Sequence, residues 1–354
     1  MTSGRVCHTA GSCLVSRGKM SATMETTREG DVFEELRPLL FSIAYRMLGS
    51  VAEAEDVVQD AFLRFHRARE GTMIENPKAF LSAVTTRLAI DQLRSARARR
   101  ETYVGPWIPE PLLTDTEPDP ADHAEIADSV SFAFLLLLEQ LTPVERAVFL
   151  LHDVFDFGYD EIAEIVGKTQ GNCRQLAVRA RKQLEARRPR FDTSKEAARQ
   201  LAARFFAAAQ RGDTGALIEL LSDDVVAYGD SGGKAPTFQS PVHGRDAVVE
   251  LLQRLTGLGR RFGVGFRPAE VNGQPGVLFL DAEGRIGNVL ALEVADGRIS
   301  ALRAVSNPDK LRHLGEPANF TALFSGGELP PGVVAGGDPG TNEAGAPGPG
   351  LGPN

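Results

Sequence analysis

The stretch YDEIAEIVGKTQGNCRQLAVRARKQLEA, residues 159–186, leaves a chain few ways to fold. Ile162, Ala163 and Val166 recur at helical spacing, and Gly167 supplies a turn directly after them. Ala163 is small, so a second helix can cross the first closely. That second helix buries Cys173, Leu176, Ala177, Ala180 and Leu184 on one face. Gln170, Asn172, Arg174, Gln175 and Arg179 are left outward. These side chains hydrogen-bond base edges and phosphates, so the pattern predicts a helix-turn-helix whose second helix reads a DNA groove. A plain helical hairpin with a polar face is the competing reading.

The formal net charge of −8 argues against a nucleic-acid partner, but its distribution argues for one. Arg87, Arg94, Arg97, Arg99 and Arg100 cluster before the linker. Lys168, Arg174, Arg179, Arg181, Lys182, Arg187, Arg188 and Arg190 cluster in and after the helix-turn-helix. Between these patches, from Glu110 to Asp128, every formal charge is an acid. DNA affinity follows local charge density, because counterions leave where Lys and Arg meet phosphate.

The 354 residues have room for two or three domains. Residues 1–27 read as a disordered or mis-annotated extension, with Met20 or Met24 as alternative starts. Residues 28–102 read as a helical bundle. Phe33, Leu36, Leu39, Leu40 and Ile43 form one helix, Gly49-Ser50 breaks it, and Ser50 can cap the next. In that next helix Val57, Val58, Ala61, Phe62 and Phe65 make an apolar stripe, with Glu53, Asp56, Gln59 and Asp60 beside it. A third helix follows Pro77 and ends in arginines. It leaves Thr85, Thr86, Arg87, Gln92, Arg94 and Ser95 available off its apolar face. Residues 103–128 form an acidic, proline-bearing linker with one apolar island around Trp107, the only tryptophan. Residues 129–190 return to helix. Cys7, Cys13 and Cys173 make no CxxC pair, so neither a disulfide framework nor a metal site is expected. The same cysteine usage fits a reducing cytoplasm, and with no apolar run long enough to span a bilayer no membrane partner is expected.

Residues 195–315 change character. The helix KEAARQLAARFFAAAQRGD precedes the strand-like runs VVAYGD, FGVGFRPAEV, GVLFLD, NVLALEV and ISALRAV, which predicts an α+β domain. From residue 326 the Gly/Pro-rich tail is expected to be disordered.

Three segments occur in a telling order: AEDVVQDAFLRF, NPKAFLSAVTTRLAIDQLRSARARR and LTPVERAVFLLHDVFDFGYDEIAEIVGKTQGNCRQLAVRARKQL. Together they resemble regions 2 and 4 of the extracytoplasmic-function sigma factors of bacterial RNA polymerase. The resemblance covers roughly residues 31–190. It implies partners: promoter DNA and the polymerase core, through its β′ and β subunits. Asp56, Gln59 and Asp60 would face the β′ coiled coil, with Phe62 anchoring their helix in the core. Gly71–Asn76 and the next helix would open and read the −10 element, with Asn76, Thr85, Thr86, Arg87, Gln92, Arg94, Ser95, Arg97, Arg99 and Arg100 as candidates. Gln170, Asn172, Arg174, Gln175 and Arg179 would read the −35 element.

The C-terminal segment resembles the cone-shaped SnoaL-like folds, on the element PVHGRDAVVELL. A subgroup of the sigma factors carries such an extension with three short motifs. They read here as WIPEP (Trp107, Ile108, Pro109 onward), DSGGK (Asp230, Gly232, Gly233, Lys234) and NPDKL (Asn307, Pro308, Asp309, Lys310, Leu311). The expected fold is therefore two all-α modules followed by an α+β cone. The cone is expected to regulate in cis by holding the linker at Trp107, with Lys234 and Lys310 meeting linker acids. No catalysis and no cofactor are expected. The alternative is a cone-fold enzyme or ligand-binding sensor fused to DNA-binding modules. Its candidate acid/base groups would be His243, Asp230 and Asp281, with a small-molecule ligand in the cone.

Overall fold

The computed structural model describes residues 16–69, 73–114, 130–185, 193–238 and 240–324, with Leu329, Val333, Val334 and Gly336. Three long helices open the chain: α1 (Ser16–Leu48), α2 (Val51–Arg69) and α3 (Pro77–Glu101). They pack on one another through the apolar stripes read in the sequence. Gly49 turns the chain at φ +67°, a left-handed conformation that glycine adopts without strain. Asn76 caps α3, accepting from the Ala79 amide at 3.0 Å. α1 begins inside the stretch expected to be disordered, and no proline or glycine between Lys19 and Glu29 interrupts it. Residues 1–15 lie outside the described residues.

After the linker come α4 (Phe132–Leu138) and α5 (Pro143–Phe149), the latter extended by a π-helical turn, Leu150–Val154. A capping box between Thr142 and Glu145 starts α5. The helix-turn-helix is α6 (Tyr159–Val166) and α7 (Gln170–Glu185), with Gly167 left-handed between them at φ +65°. Cys173, Leu176, Ala177, Ala180 and Leu184 are buried as expected, and Ile165 joins Ile162 in the core.

The two helical modules do not have separate cores. One hydrophobic cluster runs from Leu40, Ile43 and Phe65 through Leu135 and Leu150 to Ile162 and Cys173. A buried cation ties them together. Arg146 of α5, 1% exposed, donates to the Arg46 carbonyl at 3.0 Å and pairs with Glu139. Arg100 of α3 pairs with the same Glu139 and donates to the Leu48 carbonyl. Burial alone would push the Glu139 carboxyl up, but the two guanidinium groups hold it below the usual carboxylate range.

The C-terminal domain starts with α8 (Lys195–Arg211) and α9 (Thr214–Leu220). A six-stranded sheet follows in the order β3-β1-β7-β6-β5-β4. Its strands are β1 (Leu221–Asp230), β3 (Val242–His243), β4 (Gly265–Val271), β5 (Gln274–Leu280), β6 (Ile286–Ala295) and β7 (Arg298–Val305). All pairings are antiparallel except β1 with β7. The helix α10 (Arg245–Arg261) and the short α11 (Phe320–Phe324) complete the domain. Side chains alternate along the strands. On β6, Leu290, Leu292 and Val294 join the core under the domain's own helices, whereas Val289 and Ala291 belong to a cluster on the reverse face. That reverse cluster also contains Ile108 of the linker and Phe132 of α4. A two-residue strand, β8 (Val333–Val334), pairs with β2 (Thr237–Phe238), although the sequence predicts disorder from residue 326. Adjacent β-branched valines beside a free strand edge account for the pairing.

Replacing Arg146 with Ala should lower the unfolding free energy by about 1.5–3 kcal/mol, the scale of a hydrogen bond to a charged group, because it leaves Glu139 with Arg100 alone. Urea titration checks this at neutral pH. The depressed Glu139 carboxyl stabilises the fold above its unfolded pKa. The gap between variant and wild type should therefore shrink as pH falls through the folded value.

Candidate nucleic-acid interface and linker clamp

The outer face of α7 presents Gln170, Asn172, Arg174, Gln175, Val178 and Arg179, all exposed. Arg174 lies 5.5 Å from the Tyr159 ring centroid, and Arg179 sits 3.8 Å from Glu145. On α2, Asp56, Gln59 and Asp60 are exposed beside Leu63, which is 43% exposed. Phe62 is half-buried, its ring centroid 4.4 Å from that of Phe33.

The face of α3 differs from expectation. Thr85 and Thr86 are not available: both are fully buried, as is Ser82. α3 packs on α1 and α2, and also on α5 and α6. The hydroxyls of Ser82, Thr85 and Thr86 have no hydrogen-bond partner among the described residues. Arg87 donates from Nε to the Ile165 carbonyl at 2.8 Å and from Nη2 to the Glu164 carbonyl at 2.7 Å. It thereby caps the end of α6. Arg100 faces Glu139 and Trp107. Gln92 is half-buried, while Arg94 and Ser95 are exposed. The Arg97 and Arg99 side chains lie outside the described residues.

The linker is held along residues 103–114. Its central anchor is Asp230 at the end of β1, 0% exposed. Asp230 Oδ1 accepts from the Tyr103 hydroxyl at 2.5 Å. Its Oδ2 accepts from the Ile108 amide and from Lys310 Nζ, both at 2.7 Å. Lys310 also donates to the Ile108 carbonyl. Asn307 Nδ2 donates to the Tyr103 hydroxyl at 2.7 Å. Gly232 lies so close that a Cβ there would come within 2.4 Å of Asn307 Nδ2. The DSGGK and NPDKL segments thus form one cradle. Lys310 does not meet a linker acid as expected. It is buried and pairs inside the domain, while Lys234 pairs with Asp309 at the surface. Burial pushes the Lys310 ammonium down, and Asp230 opposes that shift. Burial and the neighbouring Asp230 push the Tyr103 hydroxyl up, so it stays protonated and donates.

Trp107 is half-buried, with two cations from different modules against its ring: Arg100 at 3.7 Å and Lys310 Nζ at 4.5 Å. A Cβ on Gly49 would approach that ring to 2.9 Å. The sequence reading missed Glu110. Its Oε2 accepts from the Val51 amide at 2.7 Å and the Ala52 amide at 3.1 Å, and its Oε1 accepts from Ser50 Oγ at 2.8 Å. A linker carboxylate thereby satisfies the first turn of α2. Further along, Asn272 (φ +52°, fully buried) donates to the Tyr45 hydroxyl and the Val130 carbonyl, and exchanges hydrogen bonds with the Leu112 backbone. His313 bonds the Pro111 carbonyl.

The candidate acid/base groups do not form a catalytic set. Asp230 is occupied by the clamp, and Asp281 closes its own turn with Arg285. His243 is exposed on the edge strand β3. Among the described residues no three His, Cys, Asp or Glu side chains gather as a metal site, and no helix is long and apolar enough to cross a membrane.

Residues 32–99 match the Sigma-70 region 2 family, and residues 131–184 match Sigma-70 region 4. The chain is 40% identical over 290 residues to the ECF RNA polymerase sigma factor SigJ of Mycobacterium tuberculosis (strain ATCC 25618 / H37Rv), covering 78% of this chain and 91% of that one. It is 33% identical over 277 residues to the probable ECF RNA polymerase sigma factor SigI of the same strain, covering 78% and 92%. The crystal structure of M. tuberculosis SigJ superposes with a TM-score of 0.63 at 37% identity, over 79% of this chain and 97% of that chain.

Substituting Asp230 with Asn keeps the shape but leaves Lys310 without its counter-charge. Trp107 emission, the only tryptophan signal, should shift to the red and be quenched more readily by acrylamide. Asp309→Asn, at an exposed pair worth about 0–1 kcal/mol, should leave the spectrum near wild type.

Proposed function

The chain belongs to the extracytoplasmic-function RNA polymerase sigma factors, which direct promoter-specific transcription initiation, and from that premise we propose that its C-terminal domain governs initiation in cis. As a sigma factor it works with the polymerase core and promoter DNA. Sigma factors are not enzymes, and we assign this chain no catalytic role. In this reading Asp56, Gln59 and Asp60 meet the β′ subunit and α7 reads the −35 element. The −10 element falls to α3 and the segment before it.

The observation that carries the proposal is the packing of α3 on α5 and α6, with Arg87 bonded to the end of α6. Promoter elements near −10 and −35 lie about 25 base pairs apart, roughly 85 Å along B-DNA at about 3.4 Å per pair. Helix α6, which packs on α7, cannot touch α3 while the two modules occupy such distant elements. The modules must therefore separate to work. The clamp around Asp230 fixes the linker between them and so resists that separation. The cone in this reading is a restraint acting through Trp107, Ile108 and Pro109. A small-molecule input to the same domain belongs to this reading.

Two measurements follow. Trp107→Ala loosens the linker and should raise promoter-dependent run-off transcription with purified core polymerase, as should Asp230→Asn. Lowered or unchanged yield in both would sink the restraint. Arg174→Ala should weaken binding to a −35 duplex by about 1–3 kcal/mol if it contacts a base edge bidentately. Binding equal to wild type across a promoter library would remove Arg174 from the site.

A further inference from the structure

Val178 stands on the outer side of α7, where water would favour a polar side chain. It is 60% exposed and belongs to none of the hydrophobic clusters of the molecule. Among the described residues from 130 to 185, no other large hydrophobic side chain is exposed. Valine also suits the middle of a helix poorly, because its branched side chain loses rotamer freedom there. Alanine would serve the helix better, and a charged residue would serve water better. A lone exposed valine needs no account on an idle surface. This one lies in the middle of the face that carries the polar candidates for DNA reading.

The buried positions of α7, Cys173, Leu176, Ala177, Ala180 and Leu184, fix which side points outward. At about 3.6 residues per turn, the stripe opposite them runs Gly171, Gln175, Val178, Lys182, and all four are exposed. Arg174 and Arg179 lie to either side of that stripe. Each leans back toward its own module, Arg174 against the Tyr159 ring at 5.5 Å and Arg179 toward Glu145 at 3.8 Å. Gly171 adds no side chain, and the place its Cβ would take is open space. Val178 is therefore left standing clear between two cations.

A helix laid in the major groove turns its outermost stripe to the base edges and its flanks to the phosphates. The flanking arginines are long and reach base edges or phosphates alike. Val178 is short and meets only what lies directly beneath it. In that groove the bases present one methyl group, the 5-methyl of thymine.

We propose that Val178 packs on the 5-methyl group of a thymine in the −35 element and so specifies one T·A pair of the promoter. This rests on the reading that α7 enters the major groove of that element, and adds to it a base and a contact. The contact is apolar and uses no hydrogen bond. It therefore distinguishes thymine from uracil, which pair identically with adenine and differ only in that methyl.

The test uses the full-length protein assembled with core polymerase. The −35 sequence that the wild type prefers is selected from promoter fragments randomised at that element. Each thymine of the selected element, on either strand, is then replaced in turn by deoxyuridine, and binding is measured by competition. One replacement should weaken wild-type binding about fourfold, the worth of one buried methyl group at about 0.8 kcal/mol. Val178→Ala should bind thymine and uracil alike at that position, and Val178→Ile should keep the preference. Alanine favours the helix, so loss of the preference in that variant does not come from unfolding. A wild type indifferent to uracil at every position would overturn the proposal. So would a Val178→Ala variant that keeps the full penalty, or a selected element without thymine on either strand. If the wild type selects no −35 sequence, or if Arg174→Ala, Gln175→Ala and Val178→Ala all leave the selection unchanged, the reading of α7 fails and the contact with it. Selection altered by Arg174→Ala, together with indifference to uracil, sinks the methyl contact alone.

Discussion

The Asp230 carboxylate is the interaction on which the arrangement of this molecule depends. It is fully buried, and an isolated charge there would be untenable. Its partners come from two places: Lys310 from its own domain, and Tyr103 with the Ile108 amide from the linker. The carboxylate is therefore satisfied only when the linker is docked. Lys310 has the same dependence, since its ammonium also uses the Ile108 carbonyl. The buried ion pair is coupled to a segment that belongs to the rest of the chain, so domain folding and linker docking reinforce one another.

The sheet extends that logic. Alternation along β6 sends Leu290 and Leu292 to one face and Val289 and Ala291 to the other. One face roofs the domain's own core, and the other receives Ile108 and Phe132. Ser306 sits where both meet: it lines a cavity inside the domain, and its amide donates to the Asp230 carbonyl at 2.7 Å. The clamp and the interior are thus one residue apart. Glu110 carries the linker's influence in the opposite direction, into the first turn of α2.

Much of this was legible from local pattern. Helical stripes such as Val57, Val58, Ala61 and Phe65, or Cys173, Leu176, Ala177 and Ala180, report their own burial because the period of a helix is fixed. Trp107 stood out because a solvated linker has no use for it, and the resemblance to a sigma-factor subgroup, through the short motifs DSGGK and NPDKL, marked the surface it meets. What local pattern cannot carry is a partner far along the chain. Glu110 read as one more linker acid, since its role depends on amides at 51 and 52. Arg146 carries no local sign of its burial, because the carbonyl it meets belongs to Arg46 in the first module. Thr85 and Thr86 were read as available because polar side chains on a basic helix carry no local sign that other helices bury them. The strand at Val333–Val334 was hidden by the glycines and prolines around it.

The buried hydroxyls of Ser82, Thr85 and Thr86 have a consequence for the helix that carries them. Each is buried without a partner among the described residues, at roughly 1–3 kcal/mol apiece. Valine has nearly the shape of threonine and would leave the packing around α3 drier and firmer. The three polar side chains make α3 a helix whose burial is costlier than its neighbours'.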